Sequence, residues 1–336
     1  MWPLTWAADD NLYAAAGDNS GIPGTTLTPM NVYVVRGAPG QNLALKEINH
    51  LPVDPQLYCR GILVDAHYGV KPAGLLSFDG LLYMAVQNIN YGDNPQFNRQ
   101  HNLNGWIITS SDNGTTWDTD ATFQTFFTGR TASAHFIQFG RDYAGARDEY
   151  VYAYFPCAID GQSYWCNNDC ILLGRVRRDR LLDRRAWEFY VGLNGAGRPC
   201  WDADDFRAMP VFTYPGFTGE NHVAYNAGLN CYVMGNYAFY DEKGRPRPYH
   251  QSMPREYKSQ LTLYEAREPW GPWRLFWQVD LWGDGNYQPV FPTKWMSKDG
   301  REMTMVCSGN GPYYSFTTQR LALRIAGMDS NVRACD

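Results

Sequence analysis

The chain has 336 residues, of which 44% are apolar and 15% aromatic, so it can bury a sizeable core. Only 19% are charged, and 32 glycines and 20 prolines are present, a profile typical of a turn-rich all-β protein. The formal net charge of -5 argues against nucleic acid as a partner, and no apolar run reaches the roughly 20 residues of a membrane helix.

Short apolar strands recur five times along the chain, each after a tight polar turn. They centre on Tyr13, Tyr83, Tyr152, Tyr232 and Met303, at intervals of about 70 residues. A repeat of this length built from strands indicates a propeller blade. We therefore predict an all-β fold, a five-bladed β-propeller with four-stranded antiparallel blades, over residues 1–326, followed by a C-terminal tail at 327–336.

Each repeat reads as strands A, B and C in the same order. Strand A leads into strand B through turns such as Asp79-Gly80 and Asp299-Gly300, where glycine accepts positive φ without penalty. Strand C follows a variable loop, and the fifth is predicted at Leu321-Ala322-Leu323-Arg324.

The second repeat carries the most recognisable motif of the chain. Ser110-Ser111-Asp112-Asn113-Gly114-Thr115-Thr116-Trp117 fits the Asp-box pattern S-x-D-x-G-x-T-W, a hairpin between strands C and D. A carboxylate in such a turn accepts hydrogen bonds from backbone N–H groups. We therefore predict that Asp112 caps a turn and takes no part in catalysis.

The predicted blades locate a functional site at one end of the central channel. Strands A line the channel and run antiparallel to strands B, so the start of each A lies at the same end as the finish of each B. This rule, with the loops that enter that end, selects polar and aromatic residues of the kind a sugar-binding cleft needs. The catalytic candidates are Asp18, Asp65, His135 and Glu220, and the substrate-binding candidates are Trp2, Lys71, Asn88, Arg99, His222, Tyr225, Asn236, Lys294 and Trp295, with Gln87 beside Asn88.

Two reactions and one binding role fit this set. Glycoside hydrolysis uses two carboxylates, for which Asp18 is best placed, with Glu220 and Asp65 as candidate partners. A polysaccharide lyase would act on a uronic-acid glycan by β-elimination, which needs a base and a group that neutralises the carboxylate. Those roles could fall to Lys71, Asn88, His135, His222 and Tyr225. The third alternative is a sugar-binding propeller without catalysis.

Several segments carry a family resemblance over nearly the whole chain. They include Trp2–Asp10 with Gly17-Asp18, Lys71–Leu76, Phe139–Asp148 and Pro269–Trp273. The sequence resembles a large group of uncharacterised bacterial and fungal propeller proteins related to endo-D-arabinanases, which are five-bladed glycosidases. The resemblance implies a secreted glycan-cleaving enzyme with an essential aspartate at Asp18. The second aspartate of those enzymes precedes the first A strand, where this sequence reads Met1-Trp2, so the second carboxylate stays open.

The cysteines bear on the compartment. An even count of eight in a chain rich in turns suggests an exported protein with some disulfides, of unknown connectivity. The alternative is a zinc site that includes Cys157, Cys166 and Cys170. We expect a secreted monomer that acts on a polysaccharide, with no nucleic acid or membrane partner and no cofactor, although a structural metal ion stays open.

Overall fold

The structure of the protein is a computed structural model. It describes residues 2–17, 22, 30–51, 69–90, 100–123, 125–240, 244, 258–283, 285–309 and 315–325.

The chain folds into five antiparallel sheets that follow one another along the sequence. The A strands are β1 (Leu4–Trp6), β5 (Gly69–Phe78), β9 (His135–Phe136), β15 (His222–Asn226) and β19 (Tyr287–Val290). The B strands are β2 (Leu12–Ala16), β6 (Leu81–Asn90), β10 (Tyr150–Cys157), β16 (Cys231–Tyr240) and β20 (Glu302–Ser308). The C strands are β3 (Met30–Ala38), β7 (His101–Ser110), β11 (Asn168–Arg177), β17 (Lys258–Ala266) and β21 (Thr317–Ala322).

Fourth strands complete four of the blades. They are β4 (Gln41–Leu51), β8 (Phe127–Thr128), β12 (Glu188–Leu193) and β18 (Arg274–Val279). The third blade is extended by β13 (Pro199–Asp202), which pairs with β12, and by β14 (Phe212–Thr218), which pairs with the start of β11. The fifth blade has three strands among the residues described.

The five-bladed all-β propeller predicted from the repeat is confirmed. Every predicted B strand falls on an observed one, because each is an apolar run whose side chains are buried in the core. Two assignments in the fifth blade are wrong. Its C strand begins four residues earlier than predicted, at Thr317, and its A strand is Tyr287–Val290 rather than a run beginning at Lys294. A register shift between Tyr287 and Val290 hides the usual alternation of that strand.

The first and fifth blades close the ring. The Trp2 backbone N–H donates to Gln288 Oε1 at 3.0 Å, and its indole N–H donates to the Ser315 carbonyl at 3.1 Å. Trp2 packs in one buried cluster with Val290 and Val306 of the fifth blade. The ring is therefore held by residues that are almost 290 apart in sequence.

Large aromatic side chains fill the space between blades. Trp187 of the third blade is fully buried and meets Phe127 of the second blade edge-on, with ring centroids 5.1 Å apart. Burying a side chain of this size contributes on the order of 2–3 kcal/mol. Blade packing of this kind fixes the A strands around the channel.

Asp112 lies in the outer hairpin between β7 and β8, as predicted for a turn residue. Its carboxylate accepts hydrogen bonds from the Thr116 backbone N–H at 2.8 Å and the Thr116 hydroxyl at 2.7 Å. The first of these bonds is the main reason why the pKa of Asp112 lies below its usual value.

Among the residues that the structure describes, no helix is long and apolar enough to cross a membrane.

Candidate functional site

The channel has two chemically different ends. We call the end where the A strands begin and the B strands finish the site end, and the end that carries the A–B turns the turn end. The pairing of Lys71 with Gln87 and of His222 with Gly235 shows that the antiparallel rule holds in the second and fourth blades. Residues from different blades therefore meet at the site end.

Glu220 is the central ionisable group of the site end. It lies between β14 and β15 and is fully buried. Gln87 Nε2 donates to one carboxyl oxygen at 2.6 Å, and Gln288 Nε2 donates to the other at 2.9 Å. Burial raises the pKa of Glu220 to about 8, although the Gln87 hydrogen bond opposes the shift. At neutral pH this carboxyl group is therefore largely protonated.

Asn236 holds the segment that carries Glu220. Its Oδ1 accepts hydrogen bonds from the Gly219 N–H and from Asn221 Nδ2, both at 3.1 Å, so it grips the residues on either side of Glu220. Its Nδ2 donates to the Phe217 carbonyl at 2.9 Å. The amide predicted to bind substrate is thus occupied in positioning Glu220.

Two buried histidines lie beside each other at the start of β9 and β15. The rings of His135 and His222 are perpendicular, with centroids 5.1 Å apart, and His135 Nε2 lies 2.9 Å from Ser133 Oγ. Burial lowers the pKa of His222 to about 3, and burial together with His222 holds the pKa of His135 well below its usual value. Both imidazoles are therefore neutral near pH 7.

The second blade adds Lys71 and Asn88, which are both buried. Lys71 pairs with Gln87 across β5 and β6, and Asn88 Nδ2 donates to Asn104 Oδ1 at 3.2 Å. These positions agree with the predicted site end.

Several buried polar atoms at the site end have no hydrogen-bond partner within the described part of the chain. Buried polar atoms are nearly always paired, so each such atom marks a place where water, a ligand or another part of the chain completes the bonding. The atoms are Asn88 Oδ1, Asn102 Oδ1, Asn221 Oδ1, His222 Nε2, Asn286 Oδ1 and Ser308 Oγ.

Three predicted residues lie at the turn end instead. Lys294 and Trp295 belong to the single-turn helix Thr293–Trp295 between β19 and β20, and Lys294 Nζ lies 3.2 Å from Asp10 Oδ1 in the first A–B turn. The Tyr225 hydroxyl bonds to Asn230 in the fourth A–B turn. The prediction that these residues share the site end is wrong, because the fifth A strand was placed too late and Tyr225 stands at the fourth position of its strand.

The remaining predicted residues divide into two groups. Trp2 lies at the site end but is buried, with both N–H groups engaged in closing the ring. Asp18, Asp65 and Arg99 lie outside the described residues.

Gln288 is the site residue that the sequence analysis missed. It is a buried non-glycine residue with a φ of 57°, a left-handed conformation that L residues adopt rarely and at a cost. Its amide bridges Glu220 and the Trp2 backbone. The polar alternation Asn286-x-Gln288 before the apolar Val290-Phe291 was the available signal.

No disulfide joins the six cysteines that the structure describes, and Cys59 and Cys335 lie outside the described residues. Cys157 and Cys170 face each other, whereas Cys166 packs in a different cluster. Over the described ranges, no group of three or more His, Cys, Asp or Glu side chains is placed to hold a metal ion. The zinc alternative therefore gains no support there.

Solved structures with the same fold cover nearly the whole chain. A Bacteroides ovatus protein matches with a TM-score of 0.54 at 12% identity, over 95% of this chain and 84% of its own. A GH43_1 enzyme from Xanthomonas citri matches with a TM-score of 0.52 at 12% identity, over 97% and 87% of the two chains. The GH43 endo-arabinanase from Bacillus licheniformis matches with a TM-score of 0.52 at 10% identity, over 96% and 93%. At these identities the matches establish the fold.

Sequence comparison gives the family. No curated protein matches the chain. The family described as a domain of unknown function, DUF4185, matches residues 49–274, which is about two thirds of the sequence. The chain belongs to the DUF4185 family.

Proposed function

We propose that the protein is a secreted glycoside hydrolase that cleaves a polysaccharide at the site end of its channel. The observation that carries the proposal is the Glu220 carboxyl group, held between Gln87 and Gln288 with a pKa of about 8. A general acid has to be protonated at the working pH, and burial provides that state here.

In the proposed reaction Glu220 donates a proton to the leaving glycosidic oxygen. Each carboxyl oxygen accepts one amide hydrogen bond, so the protonated group keeps its own hydrogen for the leaving glycosidic oxygen. Proton transfer assists departure of the leaving group as positive charge develops on the sugar ring. The unpartnered polar atoms of the site end would supply hydrogen bonds for sugar hydroxyls.

A second carboxylate has to activate water or attack the sugar. We assign this role to Asp18, with Asp65 as the alternative, on the resemblance and the predicted blade geometry. Replacing each by Asn tests the assignment, because the true partner is expected to lose as much activity as Glu220→Gln does.

The neighbours in fold suggest which glycans to test first. One is named as an endo-arabinanase, and the Xanthomonas citri enzyme was also solved as a complex with xylotriose, at a TM-score of 0.51. Arabinans and xylans therefore head a panel that should also contain uronic-acid polymers. A hydrolase releases reducing ends without unsaturated products, and finding neither product from any glycan would count against both enzyme proposals.

The position of the pair His135 and His222 at the site end, beside the blade that carries Lys71, supports a second candidate, a polysaccharide lyase. A neutral imidazole can remove the proton next to a uronate carboxyl group, and Lys71 lies in the neighbouring blade to neutralise that group. Unsaturated products from a uronic-acid polymer, lost in His222→Gln but retained in Glu220→Gln, would select this reaction. Glycan binding without any product would select the non-catalytic alternative.

A further inference from the structure

Two cysteines face each other at the base of a loop next to the site end. Cys157 ends β10 and lies directly opposite Cys170 of β11, and both are buried. Their Sγ atoms are 2.8 Å apart. Opposed residues of an antiparallel pair have Cα atoms about 4.5–5.5 Å apart, which falls within the span that a disulfide bridges.

The loop between these strands, residues 158–167, is here named the bridging loop. On one side it contacts the second blade: the Asn102 N–H donates to the Ser163 carbonyl at 2.9 Å, and Asn102 Nδ2 donates to Ser163 Oγ at 3.0 Å. His101 Nε2 lies 3.1 Å from the Tyr164 hydroxyl, and their rings are in contact.

On its other side the bridging loop reaches the fourth blade. Asn167 Nδ2 donates to the Gly216 carbonyl at 2.7 Å and to the Phe239 carbonyl at 2.9 Å. The next residue, Asn168, pairs with Thr218, two residues before Glu220. The bridging loop thus ties three blades together beside the segment that carries Glu220.

We propose that Cys157 and Cys170 form a disulfide that closes the bridging loop when the chain folds in an oxidising compartment. One thiolate attacks the disulfide of a thiol–disulfide exchange protein, and the second then attacks the mixed disulfide. The two cysteines lose two protons and two electrons and gain one S–S bond, while the exchange protein leaves with two thiols. Because both cysteines are buried in the folded chain, the exchange takes place before the sheet closes over them.

The cross-link would restrict the unfolded chain more than the folded one. Closing a loop of this length is expected to raise the midpoint of thermal unfolding by on the order of 4 °C in a chain of 336 residues. The inference shares with the proposed function only the premise of secretion, and it is tested on covalent connectivity and stability rather than on activity.

The test is a peptide map of the protein secreted into an oxidising compartment, alkylated while denatured and digested without reductant. A linked peptide pair containing Cys157 and Cys170 is the expected result. Both residues found alkylated, or either found linked to another cysteine, would overturn the proposal.

Thermal unfolding supplies the second measurement. Reductant should lower the midpoint of the wild type to that of Cys157→Ala/Cys170→Ala and leave the double variant unchanged. Cys307→Ala is the matched control, because Cys307 is a buried thiol of another cluster and its variant should keep the full response. An equal response to reductant in the wild type and the double variant would contradict the assignment.

Discussion

The two ends of the channel differ in how far along the chain their carboxyl groups find hydrogen-bond partners. At the turn end some carboxylates have only local partners: Asp148 accepts hydrogen bonds from the Tyr150 N–H and the Tyr152 hydroxyl, two and four residues further on. At the site end they are distant, since Glu220 is bonded to residues 133 and 68 positions away. The turns of the turn end are therefore shaped locally and then linked to neighbouring blades, as when Ser77 Oγ donates to Asp142 at 2.7 Å. The surroundings of Glu220, in contrast, exist only when several blades are assembled.

The difference extends to charge. Carboxylates such as Asp10 and Asp299 at the turn end are exposed, and hydrogen bonds hold their pKa values below the usual range. The pKa values of Glu220 and His222 at the site end shift toward the neutral forms instead, because both groups are buried. A site that combines such neutral groups with unpartnered amide and hydroxyl atoms suits the binding of hydroxyl-rich molecules.

The largest expected effect comes from Glu220→Gln. The amide has nearly the same shape but supplies no acidic proton, so we expect kcat to fall by roughly 10²- to 10⁴-fold on a responsive glycan. Reducing-end assays at saturating substrate measure the loss, and circular dichroism checks the fold. Asp10→Asn at the turn end is the control and should retain full activity.

Asn236→Ala sharpens the comparison within one blade. It removes the side chain that holds Gly219 and Asn221, so we expect a loss of about 2–3 kcal/mol in the free energy of unfolding and at least a tenfold lower kcat. Asn226→Ala is the matched control, because Asn226 is equally buried and bonded at the turn end of the same blade.

Both variants should be destabilised, but only Asn236→Ala should lose activity. Activity is compared per folded molecule, after correction for the unfolded fraction. Equal activity in the two variants would show that Asn236 does not position Glu220 for the reaction.

The buried His222 is expected to make the stability of the protein depend on pH. Its pKa is lowered from 6.5 to about 3 in the folded state, because burial disfavours the charged imidazole. Above pH 6.5 the imidazole is neutral in both the folded and the unfolded state. As the pH falls from 6.5 toward 3 the unfolded state binds the proton first, so the free energy of unfolding decreases. Urea unfolding at a series of pH values should show that His222→Gln loses less stability than the wild type over this window. His50→Gln, at a side chain that is 52% exposed, should follow the wild type.

The smallest effect is expected for Lys294→Ala. Lys294 pairs with Asp10 near the surface of the turn end, where such pairs contribute less than about 1 kcal/mol. Its kcat/KM should equal that of the wild type in a steady-state assay. A large loss of activity would show that Lys294 contributes to substrate binding after all, and that the site is not confined to the site end.

The success of the sequence predictions depends on whether a feature is set by a local pattern or by contacts between distant residues. The B strands and the Asp112 turn depend on local patterns, and the structure bears them out. Lys71, Asn88, His135 and His222 were placed at the site end because antiparallel pairing carries position from one strand to the next. Glu220 was placed there because its segment enters the fourth A strand. Gln288 was missed and Lys294 misplaced because a register shift interrupts the pattern of β19. The role of Asn236 depends on a contact with the preceding segment that no periodicity reveals.

The pH dependence of kcat/KM in the wild type and in Gln87→Leu tests the central claim most directly. The account predicts that wild-type activity falls as Glu220 ionises near pH 8. Gln87→Leu removes a hydrogen bond that stabilises the ionised form, so the fall should move to higher pH. An alkaline limb that is absent, or that stays in place in Gln87→Leu, would contradict the assignment of Glu220 as the general acid.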